Sequence, residues 1–290
     1  MTATYLERLA ARSAATGTVL CLGLDPDPDT LPPGFSPDLR GAEAFTRLLL
    51  EAAAPYAAAV KPNLAFFEAF GSEGIAALER LRAEMPGDLP VVLDAKRGDI
   101  GSTAARQAVA LFDRLGGDAV TANPYLGSDA LAPLLERPDR FVYVLCRTSN
   151  PTAAEIQGLV VAGDEDRPSE PVFARVARIA QGWGPGGTVG LVVGATAASE
   201  LSIVRGIAPG LAFLVPGVGA QGGEIEPVLA DGPARVAPVG GRPGRGLLVN
   251  VSRGIAAAAL GPAVGGGPED SGERLANVAR EWSAKLPVLS

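Results

Sequence analysis

Lysine is rare in this chain, and its placement points to chemistry. The 290 residues contain three lysines against 22 arginines, and two of the three, Lys61 and Lys96, close apolar runs typical of buried strands. Arginine stays charged and serves as a general surface cation, whereas lysine is a compact ammonium that can give up a proton. A lysine kept at a strand end is therefore a candidate for proton transfer.

Lys96 lies within the run Asp94-Ala-Lys96-Arg-Gly-Asp99. Asp94 and Lys96 are two apart on a predicted strand, so both side chains project to the same side. An ammonium held between carboxylates keeps its proton, because nearby opposite charge favours the charged form. Such a lysine suits protonation of a carbanion and is a poor Schiff-base nucleophile. A purely structural ion-pair cluster is the alternative interpretation.

The chain has no histidine, which excludes histidine-based triads and metal sites. Acid–base work then falls to Asp, Glu, Lys, Tyr or Cys. Cys21 and Cys146 lie in apolar runs, so we expect two buried free thiols and neither a disulfide nor an ordinary zinc site. With no motif for an organic group either, we expect no cofactor and no metal.

Composition narrows the class of protein. Hydrophobic residues make up 47% and charged residues 20%, a globular mixture. The net charge of −7 argues against nucleic-acid binding, and an anionic substrate would need a local positive pocket. The N-terminus lacks an apolar leader and no uncharged apolar stretch approaches ~20 residues, so we expect a cytoplasmic protein without membrane contact.

Short continuous apolar runs alternate with helical patterns, as in parallel sheets buried on both faces. This favours a single (β/α)8 barrel domain over 1–290, with an extra N-terminal helix at 4–14 and a closing helix at 271–285. An open doubly wound sheet is the alternative, but the turn after the first strand is Asp25-Pro-Asp-Pro-Asp and lacks a glycine fingerprint. The predicted strands are 18–24, 57–61, 90–96, 118–122, 141–146, 188–194, 211–215 and 246–251.

The ends of the last two strands predict a phosphate site. Phosphate sites in barrels commonly use these two loops, and here they carry glycines at 217, 219, 222 and 223 together with Gln221 and Arg253. We also place the long loops 150–171 and 231–246 on this active face. This leaves open whether Arg235, Arg242 or Arg245 of the second loop adds phosphate contacts. Asp118, at the start of strand 4, is expected to be solvated or capping.

In combination these runs resemble the orotidine 5′-phosphate decarboxylase family. The run from Leu93 to Thr103 is similar to the family's strand-3 signature, Asp-x-Lys-x-x-Asp followed by Ile-x-x-Thr. Arg147-Thr-Ser-Asn-Pro, continuing to Gln157, resembles the strand-5 segment of its longer bacterial (type 2) subgroup. Matching runs at 22–26, 60–63 and 215–223 extend the resemblance over about residues 18–256.

The resemblance implies a homodimeric barrel that converts orotidine 5′-monophosphate to uridine 5′-monophosphate (UMP) in pyrimidine biosynthesis, with active sites shared between subunits. Lys96 corresponds to the proton donor and Asp94 to the carboxylate beside the substrate carboxylate. Asp99 and Thr103 are expected to reach into the partner's site.

The same resemblance assigns the substrate-binding residues. Asp25 and Lys61 would bind the ribose hydroxyls, and Lys61 also belongs to the charged catalytic set. Ser149 would read the amide edge of the pyrimidine, and Pro216 would line the base pocket. Gln221 and Arg253 would hold the phosphate.

Two other functions share parts of this pattern. A sugar-phosphate decarboxylase or aldolase of the same barrel group shares Asp-x-Lys-x-x-Asp, but resembles magnesium users with an acidic ligand at the end of strand 2, where this chain has Lys61. A non-catalytic barrel that binds a phosphate ligand would not require the intact Asp94–Lys96–Asp99 set.

Overall fold

Eight parallel strands form the centre of the molecule. The computed structural model describes residues 3–165, 168–219, 221–260 and 268–289, with side chains from 271 onward in the last range. Residues 166–167 and Ala220, within two of the predicted loops, lie outside this description. The strands are β1 (Leu20–Leu24), β2 (Ala59–Pro62), β3 (Val92–Arg97), β4 (Ala119–Ala122), β5 (Phe141–Arg147), β6 (Val189–Val193), β7 (Ala212–Pro216) and β8 (Leu247–Val251).

The strands close into a barrel. Their order is β2-β1-β8-β7-β6-β5-β4-β3, with parallel pairing throughout. The two ends of this order meet through parallel bridges of Val60 with Val91 and of Asn63 with Asp94. The predicted barrel is confirmed, and each predicted strand is present within three residues at either end.

Helices surround the barrel and cover its outer face. None of the helices in the described ranges is long and apolar enough to cross a membrane. They are α1 (Tyr5–Thr16), α2 (Leu39–Ala53), α3 (Leu64–Glu68), α4 (Gly71–Glu84), α5 (Gly101–Ala108), α6 (Ser128–Leu135), α7 (Ala154–Gln157), α8 (Val172–Ala180), α9 (Ala198–Ile207), α10 (Ile225–Asp231), α11 (Arg253–Ala256) and α12 (Pro268–Lys285).

The N-terminal helix seals the lower end of the barrel, where the strands begin. Thr4 caps α1 with a reciprocal capping box to Glu7, which fixes where the helix starts. Tyr5 is fully buried, stacks on Phe141 with ring centroids 5.0 Å apart, and shares a 3.1 Å hydroxyl contact with Tyr143. These rings fill the barrel interior near the starts of the strands. A ligand site is therefore expected at the opposite end, where the strands finish.

Asp118 corrects one expectation, since it is buried rather than solvated. Its carboxylate accepts from Arg8 of α1 at 2.6 Å, from the Val91 amide at 2.8 Å and from Arg140 at 3.4 Å. A buried carboxylate needs such partners. Asp118 thus anchors α1 to the start of β4, a contact between residues far apart in sequence.

The predicted placement of loop 231–246 on the active face is wrong. Helix α10 intervenes after β7 and carries the chain back to the lower end before β8 begins. There Arg242 lies 4.0 Å from Glu7 of α1, and Arg235 pairs with Asp231 at 2.5 Å. Arg235, Arg242 and Arg245 are therefore at the wrong end of the barrel to contact a phosphate at the mouth.

Candidate active site

A cavity of about 480 Å³ opens at the carboxyl ends of the strands. This is where barrels carry their sites, because the loops that follow the strands converge there. Seven of the predicted site residues line it, from five different strands or the loops that follow them: Asp25, Lys61, Asp94, Lys96, Ser149, Pro216 and Gln221.

Two lysines bind one carboxylate on the wall of this cavity. Lys61 Nζ lies 2.6 Å from Asp94 Oδ2, and Lys96 Nζ lies 2.5 Å from Asp94 Oδ1. Burial alone would raise the pKa of Asp94, but the charges of Lys61 and then Lys96 outweigh it and hold the pKa well below its usual range. Asp94 is therefore an anion at any pH where the protein works.

Lys61 is almost fully buried. Burial acts to lower its pKa, but the negative charges of Asp94 and then Asp25 outweigh burial, so the pKa is raised from its ordinary value. Lys61 is thus a permanent cation beside Asp94.

Lys96 has a left-handed backbone, with φ of 48°. A side chain other than glycine costs about 1–2 kcal/mol there, and such outliers gather at functional sites. The β3–β4 pairing shifts register between Leu93 and Arg97. This irregularity bends the end of β3 and gives the Lys96 side chain its position at the cavity.

The ends of β1 and β8 supply hydrogen-bond acceptors. Ser252 donates to Asp25 Oδ2 at 2.6 Å. Asp25 Oδ1 and Asn250 Oδ1 are buried and have no hydrogen-bond partner among the described residues. Buried acceptors usually have donors, so these two oxygens can receive hydroxyl groups of a ligand.

A smaller cavity of about 80 Å³ continues from the first between the loops after β7 and β8. The two share Asp25, Pro216, Gln221 and Asn250, and the smaller one adds Arg253. Gly217 has φ of 98°, and a Cβ added there would lie 3.1 Å from both Gln221 Oε1 and Ser149 Cβ. Glycine at 217 thus keeps this narrow end open.

The loop after β5 is pinned over the cavity by Gln157 of α7. Its side chain accepts from the Thr148 amide at 2.9 Å and donates to Thr148 Oγ1 at 2.7 Å, and Thr148 in turn donates to Asn150 at 2.7 Å. Ser149 is held against Gly194, where an added Cβ would lie 2.8 Å from the Ser149 backbone. The loop therefore presents Ser149 in a defined place.

Asp99 and Thr103 are not brought into this cavity. Asp99 accepts a 2.8 Å hydrogen bond from the neighbouring Ile100 amide, and Thr103 is exposed on α5. Ile100, the neighbour of Asp99 in the chain, is 61% exposed, and Tyr125 in the loop after β4 is 84% exposed.

Several lining residues were given no role from the sequence: Asn63, Thr121, Thr148, Asn150, Gln157 and Asn250. Asn63 directly follows β2 and Asn250 lies at the end of β8, so their strand-end positions were a usable signal. No such signal in the sequence marked Thr121, because its contacts depend on the local register of two strands. In the described part of the chain, no group of three or more Cys, Asp or Glu side chains is arranged to hold a metal ion.

Known proteins match this chain over most of its length. Residues 18–264 fit the family model described as Orotidine 5'-phosphate decarboxylase / HUMPS family. The chain belongs to this decarboxylase family. An orotidine 5'-phosphate decarboxylase from Thermomicrobium roseum is 47% identical over 253 residues, which is 87% of this chain and 86% of the relative. One from Halorubrum lacusprofundi is 48% identical over 256 residues, 87% of each chain.

Solved structures of the family agree. The OMP decarboxylase of Leishmania donovani has a TM-score of 0.77 and 39% identity, covering 97% of this chain and all of the other. The UMP synthase of the same organism has a TM-score of 0.80 and 41% identity, covering 98% of this chain. The present chain spans 56% of that synthase.

Proposed function

We propose that this chain decarboxylates orotidine 5′-monophosphate to UMP, a step of pyrimidine biosynthesis. The observation that carries the proposal is the Lys61–Asp94–Lys96 arrangement in the cavity at the barrel mouth. It places the Lys96 ammonium, which can donate a proton, beside the Asp94 carboxylate, which stays ionised at working pH.

The chemistry that this arrangement suits is protonation of a carbanion. The bond from C6 to the carboxylate carbon breaks, its electron pair stays on C6 in the plane of the ring, and carbon dioxide leaves. No ring carbonyl is placed to delocalise that pair, so the charge must be stabilised from outside. The Lys96 ammonium stabilises it by its charge and then donates a proton that forms the C6–H bond. Solvent returns a proton to the amine.

The barrier reduction that such a reaction needs is on the order of 20 kcal/mol. Fixed charges in a cavity supply much of such a reduction, because they need no reorganisation when the transition state forms. Asp94 also faces the substrate carboxylate in this proposal, and repulsion there would be relieved as carbon dioxide departs.

The substrate roles proposed here come from the family resemblance, and the two connected cavities support them because they bring these residues together. Asp25 and Lys61 bind ribose hydroxyls, Ser149 reads the amide edge of the base, and Pro216 lines the base pocket. Gln221 and Arg253 hold the phosphate in the narrow end. Phosphate binding far from C6 then contributes to the chemical step, because remote binding energy can hold the substrate in its reacting position.

We propose a homodimer in which Asp99 and Thr103 enter the site of the partner subunit. Two observations support it: neither residue lines the cavity of its own chain, and the apolar side chains of Ile100, the neighbour of Asp99 in the chain, and of Tyr125 are exposed. Exposed apolar side chains grouped near a site are typical of interfaces.

The remaining features complete the proposal. The chain forms one barrel domain, belongs to the longer bacterial (type 2) subgroup, works in the cytoplasm and uses neither metal nor organic cofactor. Lys61 supports the last point, because it places a cation at the strand-2 position where the sugar-phosphate enzymes of this barrel group carry an acidic metal ligand.

A spectrophotometric assay tests the function directly. Loss of orotidine 5′-monophosphate absorbance should be observed with the purified chain, and the rate should be unchanged by EDTA. Inactivity towards this substrate would refute the proposal, and a rate abolished by EDTA and restored by magnesium would favour the metal-dependent sugar-phosphate alternative.

A further inference from the structure

The pairing of β3 with β4 is irregular, and the Thr121 side chain supplies the hydrogen-bond acceptor that the backbone lacks there. Leu93 pairs with Val120 and Arg97 with Ala122, so four steps along β3 span two steps along β4. Asp94, Ala95 and Lys96 bulge opposite Thr121. A bulge leaves amides without ladder partners, and here the Ala95 and Lys96 amides both donate to Thr121 Oγ1, each at 3.0 Å.

The direction of the Thr121 proton follows from these two contacts. A hydroxyl has one donor and two acceptor positions, and both acceptor positions are occupied by amides. The Thr121 hydroxyl therefore donates its proton in a hydrogen bond to the third neighbour, Asp94 Oδ1, at 2.9 Å. Thr121 is only 2% exposed, so water does not replace these contacts.

One hydroxyl thus joins the backbone at Lys96 to the carboxylate of Asp94. The two lysines also bind Asp94, but they do so at the ends of long flexible side chains. Thr121 has a short, β-branched side chain with few rotamers on a barrel strand. It is therefore the rigid reference against which both charged groups are placed.

We propose that Thr121 is a positioning residue for decarboxylation, an inference that rests on the proposed function. Without its hydroxyl, two buried amides lose their acceptor, and the Lys96 backbone relaxes from its left-handed conformation. The Lys96 amine and the Asp94 carboxylate then shift relative to C6. Misplacement by about 1 Å can reduce a rate by roughly 100-fold.

The test compares variants that differ in the hydroxyl alone. Thr121→Val keeps the shape and removes the hydroxyl, whereas Thr121→Ser keeps the hydroxyl. Thr46→Val is the matched control, because Thr46 is equally buried and donates to the Ala42 carbonyl within α2, away from the cavity. For each variant, kcat and KM for orotidine 5′-monophosphate, the Kd of UMP and the Tm are measured.

We expect Thr121→Val to lower kcat by about 10- to 100-fold while the Kd of UMP changes less than about threefold. Thr121→Ser should restore kcat to within about threefold of wild type, and Thr46→Val should leave it unchanged. If Thr121→Val does not fold, Thr121→Ala replaces it against Thr121→Ser with the same expectation.

Three results would overturn the proposal. They are a wild-type kcat in the variants without the hydroxyl, an equal loss in Thr121→Ser, and a loss of UMP binding as large as the loss of kcat. An inactive wild-type chain would instead refute the proposed function itself, so the two failures are distinguishable.

Discussion

Lys61 and Lys96 donate to opposite oxygens of one carboxylate, yet one lysine is almost fully buried and the other is half exposed. The side chain of Lys61 is 5% exposed and that of Lys96 is 50% exposed, although both amines lie within 2.6 Å of Asp94. The buried lysine compensates the charge of Asp94. The exposed lysine keeps access to a ligand, which is the division of roles that a proton donor beside a fixed anion requires.

Lys96→Ala should abolish turnover and preserve product binding. Removing the cation that stabilises and protonates C6 should lower kcat by more than about 1000-fold, whereas the Kd of UMP should change much less. Lys285→Ala on α12 is the control, and it should behave as wild type. Turnover near the wild-type rate in Lys96→Ala would contradict the assignment of Lys96.

Mixing two inactive variants tests the shared site. Lys96→Ala and Asp99→Ala subunits, each inactive alone, should recover activity together, because a mixed dimer carries both changes in one site and leaves the other intact. Random pairing in equal amounts should restore about a quarter of the wild-type activity per subunit. If the mixture stays inactive while subunit exchange is shown by mass spectrometry, each chain completes its own site.

Arg253→Ala tests the phosphate end. Loss of a charge-assisted hydrogen bond worth about 1.5–3 kcal/mol should weaken UMP binding by about 10- to 150-fold. Binding of uridine, which lacks the phosphate, should not change, and Arg280→Ala on α12 serves as the control. Equal weakening of both ligands in calorimetry would place Arg253 elsewhere in the site.

Asp94→Asn should have an effect on stability that depends on pH. The pKa of Asp94 is depressed in the folded protein, so the ionised carboxylate stabilises the fold above its ordinary pKa of about 3.9, and this is lost as the pH falls through the folded-state value. We expect the variant to lower the free energy of unfolding by about 3–5 kcal/mol at pH 7, with a smaller difference below about pH 4.

Urea unfolding at pH 7, 5 and 3.5 measures this difference. Asp129→Asn at the exposed start of α6 is the control, with an expected change under about 0.5 kcal/mol. A difference between wild type and Asp94→Asn that grows as the pH falls would have the opposite sign to the one that a depressed carboxyl pKa requires.

Tyr5→Ala tests the seal at the lower end of the barrel. Removing this buried ring should lower the free energy of unfolding by about 3–5 kcal/mol, while Tyr5→Phe loses only the hydroxyl contact to Tyr143 and about 1 kcal/mol. Urea titration measures both. KM of the folded Tyr5→Phe variant should remain unchanged, and a raised KM would show that the seal also shapes the distant cavity.

Continuous apolar runs were sufficient to place the strands, because strands that are buried on both faces of a barrel consist almost entirely of apolar residues. The run ending at Lys96 also indicated which end carries the charged residues. Once the strand ends were known, the charged residues at the cavity followed from their positions, whereas Ser149 and Pro216 were assigned from the family resemblance.

Two of the errors, at Asp118 and Thr121, have a common cause, which is contact between distant segments. Asp118 looked like a surface residue because its partner Arg8 is 110 positions away. Loop 231–246 was placed at the wrong end because the short helix Ile225–Asp231 has too few residues for a clear apolar period. Thr121 was missed because a bulge in a neighbouring strand, invisible in the sequence, gives its hydroxyl three partners.

The sealed lower end has a consequence for the released gas. In the described part of the barrel, the interior between Tyr5 and the cavity is filled with side chains, so carbon dioxide leaves on the side of the barrel where the nucleotide arrives. How quickly it leaves that side therefore limits whether carbon dioxide can recombine with C6 before the proton arrives.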